Sequence, residues 1–566
     1  MRSKKQNIKL PPFEVKGVNL SAIKGFYRQI AARMPPHPID QIWYNALIYT
    51  ANPLQPTASA LAIHKGRIVA VGNTTQIRDT FSQAQHQIDA QGKPIYPGFH
   101  DAHCHPFKYA QSLAEVNLAG CNTYHEVITR TQTYKQQNPN TLAIIGRGWD
   151  QNRWPGKHFP DKSLLDAHFP DIPVLLIRID LHAAVANQTA LNLAQISAQT
   201  QVENGLVVLD EKGQPNGLLI DRALHLVLQS LPKSTSPTNA LETLLPQAEN
   251  YFFSVGLTTL HEAVAEQDQI ELAAKMHAKK QLNIRLHAYL DARETKAVAN
   301  LRQTGPQQYG KRLTVPGLKY FADGALGSRG AWLTQPYTDD EQNCGLQFLD
   351  HNHFLTECQL NKAANLQTMT HAIGNAANKQ VLQTYSQVLK RNNKRRWRVE
   401  HCQVLHPEDV TLFGQYNLIP SIQATHATSD MYWVHECLGS QRLQMAYAFN
   451  TLLAQTGRVA AGSDFPIEGI NPLLGFYAAV TRQDANQWPL NGFMPKQRLT
   501  RNQALMAMTH WAAYAAFAET NTGSLVPGKT ADFVVLDRDI MTCPAPEILL
   551  AKVVHTVIDG QIVWSQ

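Results

Sequence analysis

The chain has 566 residues, 44% of them hydrophobic and 17% charged, which describes an ordinary globular protein with material for a sizeable core. No run approaches the roughly 18 uninterrupted apolar residues of a membrane-spanning helix. The formal net charge of +7 is densest at KRNNKRRWR, residues 390–398, which reads as a solvated helix end rather than a nucleic-acid patch.

Residues 1–37 read as an extension. Ile23, Phe26, Ile30 and Met34 recur at helical spacing, and the stripe is expected to dock on the protein's own surface rather than on a membrane. The basic start lacks the apolar stretch and cleavage site of a secretory signal, so a cytoplasmic protein is expected. The seven cysteines are odd in number, scattered and without a Cys-x-x-Cys pair, which argues against a disulfide framework and a cysteine zinc knot.

From Ile42 the chain runs in short strand-like pieces broken by turn residues such as Lys65-Gly66 and Gly72-Asn73. The same texture returns in GSLVPGKTADFVVLDRD and VVHTVIDGQIVW. These ends, 38–97 and 523–566, are expected to build one small β-sandwich around a long α/β middle, 98–522. In the middle, apolar strand-like runs alternate with longer helical stretches, the pattern of a parallel sheet with crossover helices. Strands are predicted at 94–99, 257–261, 283–290, 317–322, 366–370, 397–400, 418–423 and 458–462. Eight such units predict a (β/α)₈ barrel of the TIM type. The first gap, about 155 residues, is too long for one crossover, so an inserted subdomain is expected at about 118–250, beside the barrel mouth.

His103-Cys104-His105 follows the first predicted strand, and strand alternation would project both imidazoles to one side. His371 follows LQTMT, His401 follows WRVE and Asp464 follows VAAGS. Each stands just beyond a predicted strand, where barrel enzymes collect their functional groups. Four histidines and an aspartate converging in this way suit zinc or another divalent transition metal. Lys319, inside the fourth predicted strand, is either salt-bridged or modified, because a buried ammonium is costly. Asp323 follows in a loop expected to face a substrate.

The ordered segments PGFHDAHCH, GRGWDQNRWP, IPVLLIRIDLHAAVANQTAL, LKYFADGALGSRGAWL, THAIGNAAN, RVEHCQV, AGSDFPI and GSLVPGKTADFVVLD resemble the third amidohydrolase family of the amidohydrolase superfamily. Its members include N-substituted formamide deformylase-like and YtcJ-like proteins, and the resemblance runs through about 40–566. It implies His103 and His105 on one metal, a carboxylated Lys319 as bridge, His371 and His401 on a second metal, and Asp464 as ligand and proton shuttle. Trp149, Asp150 and Trp154, with Arg178 and His182, match positions that look substrate-facing; as plain structure, the tryptophans would fill a core and Arg178 would pair with Asp180 or Asp150. Two positions depart from the family pattern. Asn375 stands where an aspartate is usual, which puts support of a ligand histidine in doubt, and Leu181 stands where a glycine is usual.

The resemblance further implies hydrolysis of an acyclic amide, N-acyl or N-formyl C–N bond by metal-activated water, with one or two divalent metals per chain. His371 would assist as well as ligate. A small-molecule substrate and a homodimer are expected, with no nucleic-acid or membrane partner. A deaminase or cyclic-amide hydrolase of the same superfamily is the alternative enzyme, and a catalytically silent barrel scaffold is the alternative from another class.

Overall fold

The computed structural model describes residues 39–232 and 240–566. The expected stripe of Ile23, Phe26, Ile30 and Met34 lies outside the described residues. Among those described, no helix is long and apolar enough to cross a membrane.

Eight parallel strands form the central barrel: β1 (Phe99–Cys104), β2 (Leu257–Ala265), β3 (Arg285–Asp291), β4 (Gly317–Phe321), β5 (Gln367–Ala372), β6 (Arg398–His401), β7 (Ile419–Gln423) and β8 (Ala460–Gly462). Nearly every residue in them is buried, as helix-covered parallel strands require. The ladders run in order from β1 to β8. The last seam closes through loop backbone, where Asp464 N–H donates to the His103 carbonyl at 2.7 Å and His105 N–H to that of Phe465 at 2.8 Å. Asp101 ties the same seam, accepting from the Ser463 hydroxyl at 2.6 Å.

Outside the barrel, Phe354, Tyr385, Trp397 and Phe413 pack helices onto strands in one continuous core. Each such buried side chain contributes about 1.5–3 kcal/mol relative to exposure. Local signals start the helices: a capping box of Glu266 and Gln269 opens Gln267–Ala278, and one of Thr500 and Gln503 opens Arg501–Ala507.

The first predicted barrel strand is corrected. Pro94–Pro97 belongs to the sandwich, pairing antiparallel with Phe533–Leu536, and the barrel strand starts only at Phe99. Gly98 is the switch between the two sheets; a Cβ there would lie 2.3 Å from the Thr258 hydroxyl, so only glycine passes. Strands from both ends share this six-stranded sheet. It packs on a four-stranded sheet through Trp43, Ile48, Leu61, Ile95, Phe533 and Val557.

Between β1 and β2 lies a separate six-stranded sheet, from Val116–Asn117 to Pro215–Asp221. The helix Ala240–Ser254, which overlaps the end of the range expected for the insertion, instead sends Leu241, Leu245, Phe252 and Phe253 into the barrel core. The basic run is a solvated helix end in its first part, where Lys390, Arg391 and Lys394 are exposed beyond the helix Asn375–Val388, and departs from one in its second. Arg396 pairs with Glu519 and stacks on Tyr514, Trp397 is core, and Arg398 lies fully buried inside the barrel.

Candidate metal centre

At the C-terminal ends of the strands the barrel opens into a cavity of about 1510 Å³, roofed by the insertion. His103 is the last residue but one of β1 and His105 follows the strand. Their distal nitrogens converge on Asp464, the Nε2 atoms lying 3.5 and 3.1 Å from Oδ1. Asp464 comes from the loop after β8, and its other oxygen is 3.7 Å from His426 Nε2. Two groups of donor atoms result, each within 4.8 Å of one another: His103, His105 and Asp464, and His401, His426 and Asp464. Asp464 is common to both.

Each near nitrogen of the first pair rests on a buried carboxylate. His103 Nδ1 meets Glu400, and His105 Nδ1 is 3.3 Å from Glu262. Glu400 is in turn gripped by Arg398, Nε to Oε1 at 2.7 Å and Nη2 to Oε2 at 3.0 Å. Burial alone would raise the Glu400 carboxyl, but the guanidinium and the His103 hydrogen bond hold it well below the usual carboxylate range. Burial pushes His103 down to about 3 and His426 to about 4, and His105 and His401 well below their ordinary value. At neutral pH these imidazoles are therefore uncharged, with lone pairs available.

The donor set fits a divalent cation. His401 Nδ1, His426 Nε2 and Asp464 Oδ1 are buried without a hydrogen-bond partner, in residues whose donor atoms come within 4.8 Å of one another. Buried polar atoms left without partners are costly, and a cation held among them removes that cost. The positive φ of His401 (71°) and Asp464 (65°) places both in the left-handed region, a strain that surrounding structure must impose.

Lys319, 1% exposed in β4, lines the cavity with its Nζ 4.8 Å from the Phe321 ring centre. Among the described residues it makes no ion pair, and burial lowers its ammonium below the ordinary lysine range. His371 stands beside His401, ring centres 4.5 Å apart, but joins neither donor group. Its Nε2 lies 3.2 Å from the Gly324 carbonyl and 3.4 Å from Asp323 Oδ1.

Two expected substrate contacts are corrected. Asp323 is fully buried and accepts backbone N–H groups from Trp332, Ile373 and Gly374 at 2.9, 3.0 and 2.7 Å, so it braces the loop after β5 rather than facing the cavity. Trp149 is also fully buried, its indole N–H donating to the Leu176 carbonyl, and it serves the core of the insertion. Asp150, Trp154, Arg178 and His182 do line the cavity. Arg178 is saturated by Asp150, Asp180 and Gln151. His182 Nδ1 is 2.6 Å from Asp221 Oδ1, and its ring centre is 5.8 Å from that of His371. Leu181 takes φ 63°, the conformation that makes glycine the ordinary choice there. Asn375 bonds only Thr334, through its N–H and hydroxyl, and touches no histidine of the site.

Sequence reasoning missed His426, Glu400, Glu262 and Asp221. His426 lies three residues past β7 and answers to the same signal, a histidine just beyond a strand, that singled out His371 and His401. Glu400 was hidden by alternation: Arg398 and Glu400 share one face of β6, and only the left-handed turn at His401 lets that side chain reach the mouth as well.

Residues 87–564 match the model of the amidohydrolase family. The chain is 31% identical to Protein LONG AFTER FAR-RED 3 of Arabidopsis thaliana, over 91% of this chain and 90% of that protein. It is 29% identical to the putative amidohydrolase YtcJ of Bacillus subtilis (strain 168), over 93% and 99%, and 24% identical to the N-substituted formamide deformylase of Arthrobacter pascens, over 93% and 98%. The crystal structure of an uncharacterized metal-dependent hydrolase from Pyrococcus horikoshii OT3 superposes with a TM-score of 0.72 at 25% identity, covering 89% of this chain and 99% of that one.

Proposed function

This chain belongs to the amidohydrolase family, and from that premise we propose that it hydrolyses a non-peptide carbon–nitrogen bond, an acyclic amide of the N-acyl or N-formyl kind. The observation that carries the reading is the pair of buried histidine groups sharing Asp464, with three donor atoms left unsatisfied at the cavity floor. The bond type draws support from the deformylase relative.

His103, His105 and Asp464 would hold one divalent metal and His401, His426 and Asp464 a second, with zinc suited to the nitrogen and oxygen donors. When bound, the metal supplies Lewis acidity, bringing the pKa of water towards about 7 and polarising a carbonyl. Lys319 is suited to carboxylation: its neutral amine adds to carbon dioxide and loses a proton, which turns an unpaired buried cation into an oxygen donor facing the site. Asp464 accepts the proton of the attacking water and passes it to the departing nitrogen. His182, oriented by Asp221, presents its other ring nitrogen to the cavity above His371, where it can hydrogen-bond the substrate carbonyl. The roof formed by the insertion limits water to the mouth.

The test combines metal content with product analysis. Elemental analysis on protein purified with bicarbonate and without chelator should give one or two metals per chain, and N-formyl and N-acyl amines should release an amine and a carboxylate. Release of ammonia from aminated heterocycles would favour a deaminase, and absence of metal after zinc incubation would favour the silent scaffold. Asp464→Asn should lower kcat by at least about a hundredfold; near-wild-type turnover would remove Asp464 from its assigned role.

A further inference from the structure

The cavity is electrically lopsided. Lys108, Arg222, His225 and Arg293 line the side built by the helix Pro106–Ser112, the loop after β3 and the insertion. The charged groups that act most strongly on His225 are all cationic: Arg293, Lys108, His182 and Arg222. Two members of this group have counter-charges, since Arg293 is held by Asp291 and His182 by Asp221, each at 2.6 Å. Lys108 and Arg222 have no carboxylate in contact among the described residues. Among the described residues neither side chain makes an ion pair or a hydrogen bond. Glu262 and Asp464 lie within Coulombic reach of Lys108 without pairing with it, and Glu262 is turned towards the backbone N–H groups of Phe107 and Val264. A part-buried ammonium left unanswered beside a cavity is costly unless a ligand brings the missing charge.

The opposite wall carries Asp150, Asp430, Glu468 and Asp484. Each is occupied from within the protein: Asp150 by Arg178, Asp430 by Tyr447, Glu468 by Ser429 and Asp484 by Tyr432. Arg153 also lines that side, exposed and without a side-chain partner among the described residues, within Coulombic reach of Glu468.

Resting on the hydrolase reading above, we propose that the substrate carries an anionic group, a carboxylate or a phosphate, that docks on Lys108 and Arg222. Lys108 stands within Coulombic reach of Asp464, so the anion lies beside the reacting end of the molecule rather than at the outer mouth. Charge pairing in a partly desolvated site favours the acidic substrate over a neutral one of the same shape.

The experiment compares three N-formyl amines on one carbon skeleton, ending in a carboxylate, a phosphonate or a neutral carboxamide, with the full-length zinc-loaded protein. At least one anionic compound should exceed the carboxamide in kcat/KM by about tenfold or more, and whichever acid is preferred identifies the group. The acid-to-neutral ratio should fall with added salt and collapse towards one in Lys108→Met. Arg222→Gln, on the exposed part of the same wall, reads the same ratio should Lys108→Met fail to fold. Equal rates on all three compounds would overturn this inference and leave the hydrolase reading standing. Turnover of none would instead count against the hydrolase reading, and titration calorimetry with the same three compounds then decides the inference: preferential binding of an acid upholds it, and equal or absent binding overturns it.

Discussion

The two halves of the metal centre are built differently. His103 and His105 stand on buried carboxylates, one of them locked to Arg398 inside the barrel, whereas His401 and His426 end in nitrogens without partners. The first half is therefore oriented before any ion arrives, because a carboxylate on one ring nitrogen sets the tautomer and turns the other towards the ligand. The second half has strand geometry and strain in place of hydrogen bonds, and its polar atoms are answered only from within the site. A metal bound here would meet one ready-made half and one less satisfied half that gains most from completing the set.

The largest effect is expected at Glu400. Glu400→Gln leaves Arg398 buried without its counter-charge, which should cost about 3–5 kcal/mol in chemical denaturation and weaken metal binding about 10–100-fold by competition with a chelator. A loss no larger than that of an exposed substitution would erase the distinction between the halves.

The barrel floor beneath both halves offers a pH test. Burial pushes His287 down to about 3 from 6.5, with the nearby Arg285 and Arg398 adding to it. Below about pH 6.5 the unfolded chain then binds a proton that the folded one refuses, so stability is complete above that pH and is lost on acidification. The contribution is about 1.4 kcal/mol per pH unit. His287→Asn should flatten urea-derived stability between about pH 6.5 and 5 by that amount. An unchanged slope would mean that the floor histidine is not buried neutral.

A smaller effect is expected at Glu262, whose carboxyl is raised chiefly by burial and so carries less of a charge to lose. Glu262→Gln should cost about 1–3 kcal/mol, because an amide cannot accept from both Phe107 and Val264 N–H groups. If it matched Glu400→Gln, the arginine lock would not be what separates the two supports. The smallest change in metal binding is expected for Asn375→Asp. Asn375 touches neither half, so metal affinity should stay within about twofold, while a buried carboxylate that no longer donates to Thr334 should cost about 1–3 kcal/mol of stability. A large gain in metal affinity would show that the missing aspartate matters to the ligands after all.

Much of this site was legible from position alone. His103, His105, His371, His401 and Asp464 all stand where a strand gives way to a loop, and the alternation of apolar and helical runs located the barrel to within a few residues of most strands. Pro94–Pro97 misled because an apolar run before a glycine reads alike in a sandwich and in a barrel, and only the partner strand distinguishes them. Trp149 and Asp323 misled because a motif tells that a residue belongs near a site without telling which way its side chain turns. Glu262 and Asp221 carry no local signal, since their partners His105 and His182 are 157 and 39 residues away.

The sequence by itself determined the barrel class, the order of the strands and the residues delivered to their C-terminal ends, because hydrophobic period and strand-to-loop transitions are local properties of the chain. Which histidine rests on which carboxylate came from the folded chain alone, as did the meeting of His426 with Asp464, the turn of His371 towards Asp323 and Gly324, and the place of Lys108 and Arg222 in the cavity lining. Those pairings depend on barrel closure and on the roof laid over it, which bring together groups whose separation along the chain carries no information about their contact.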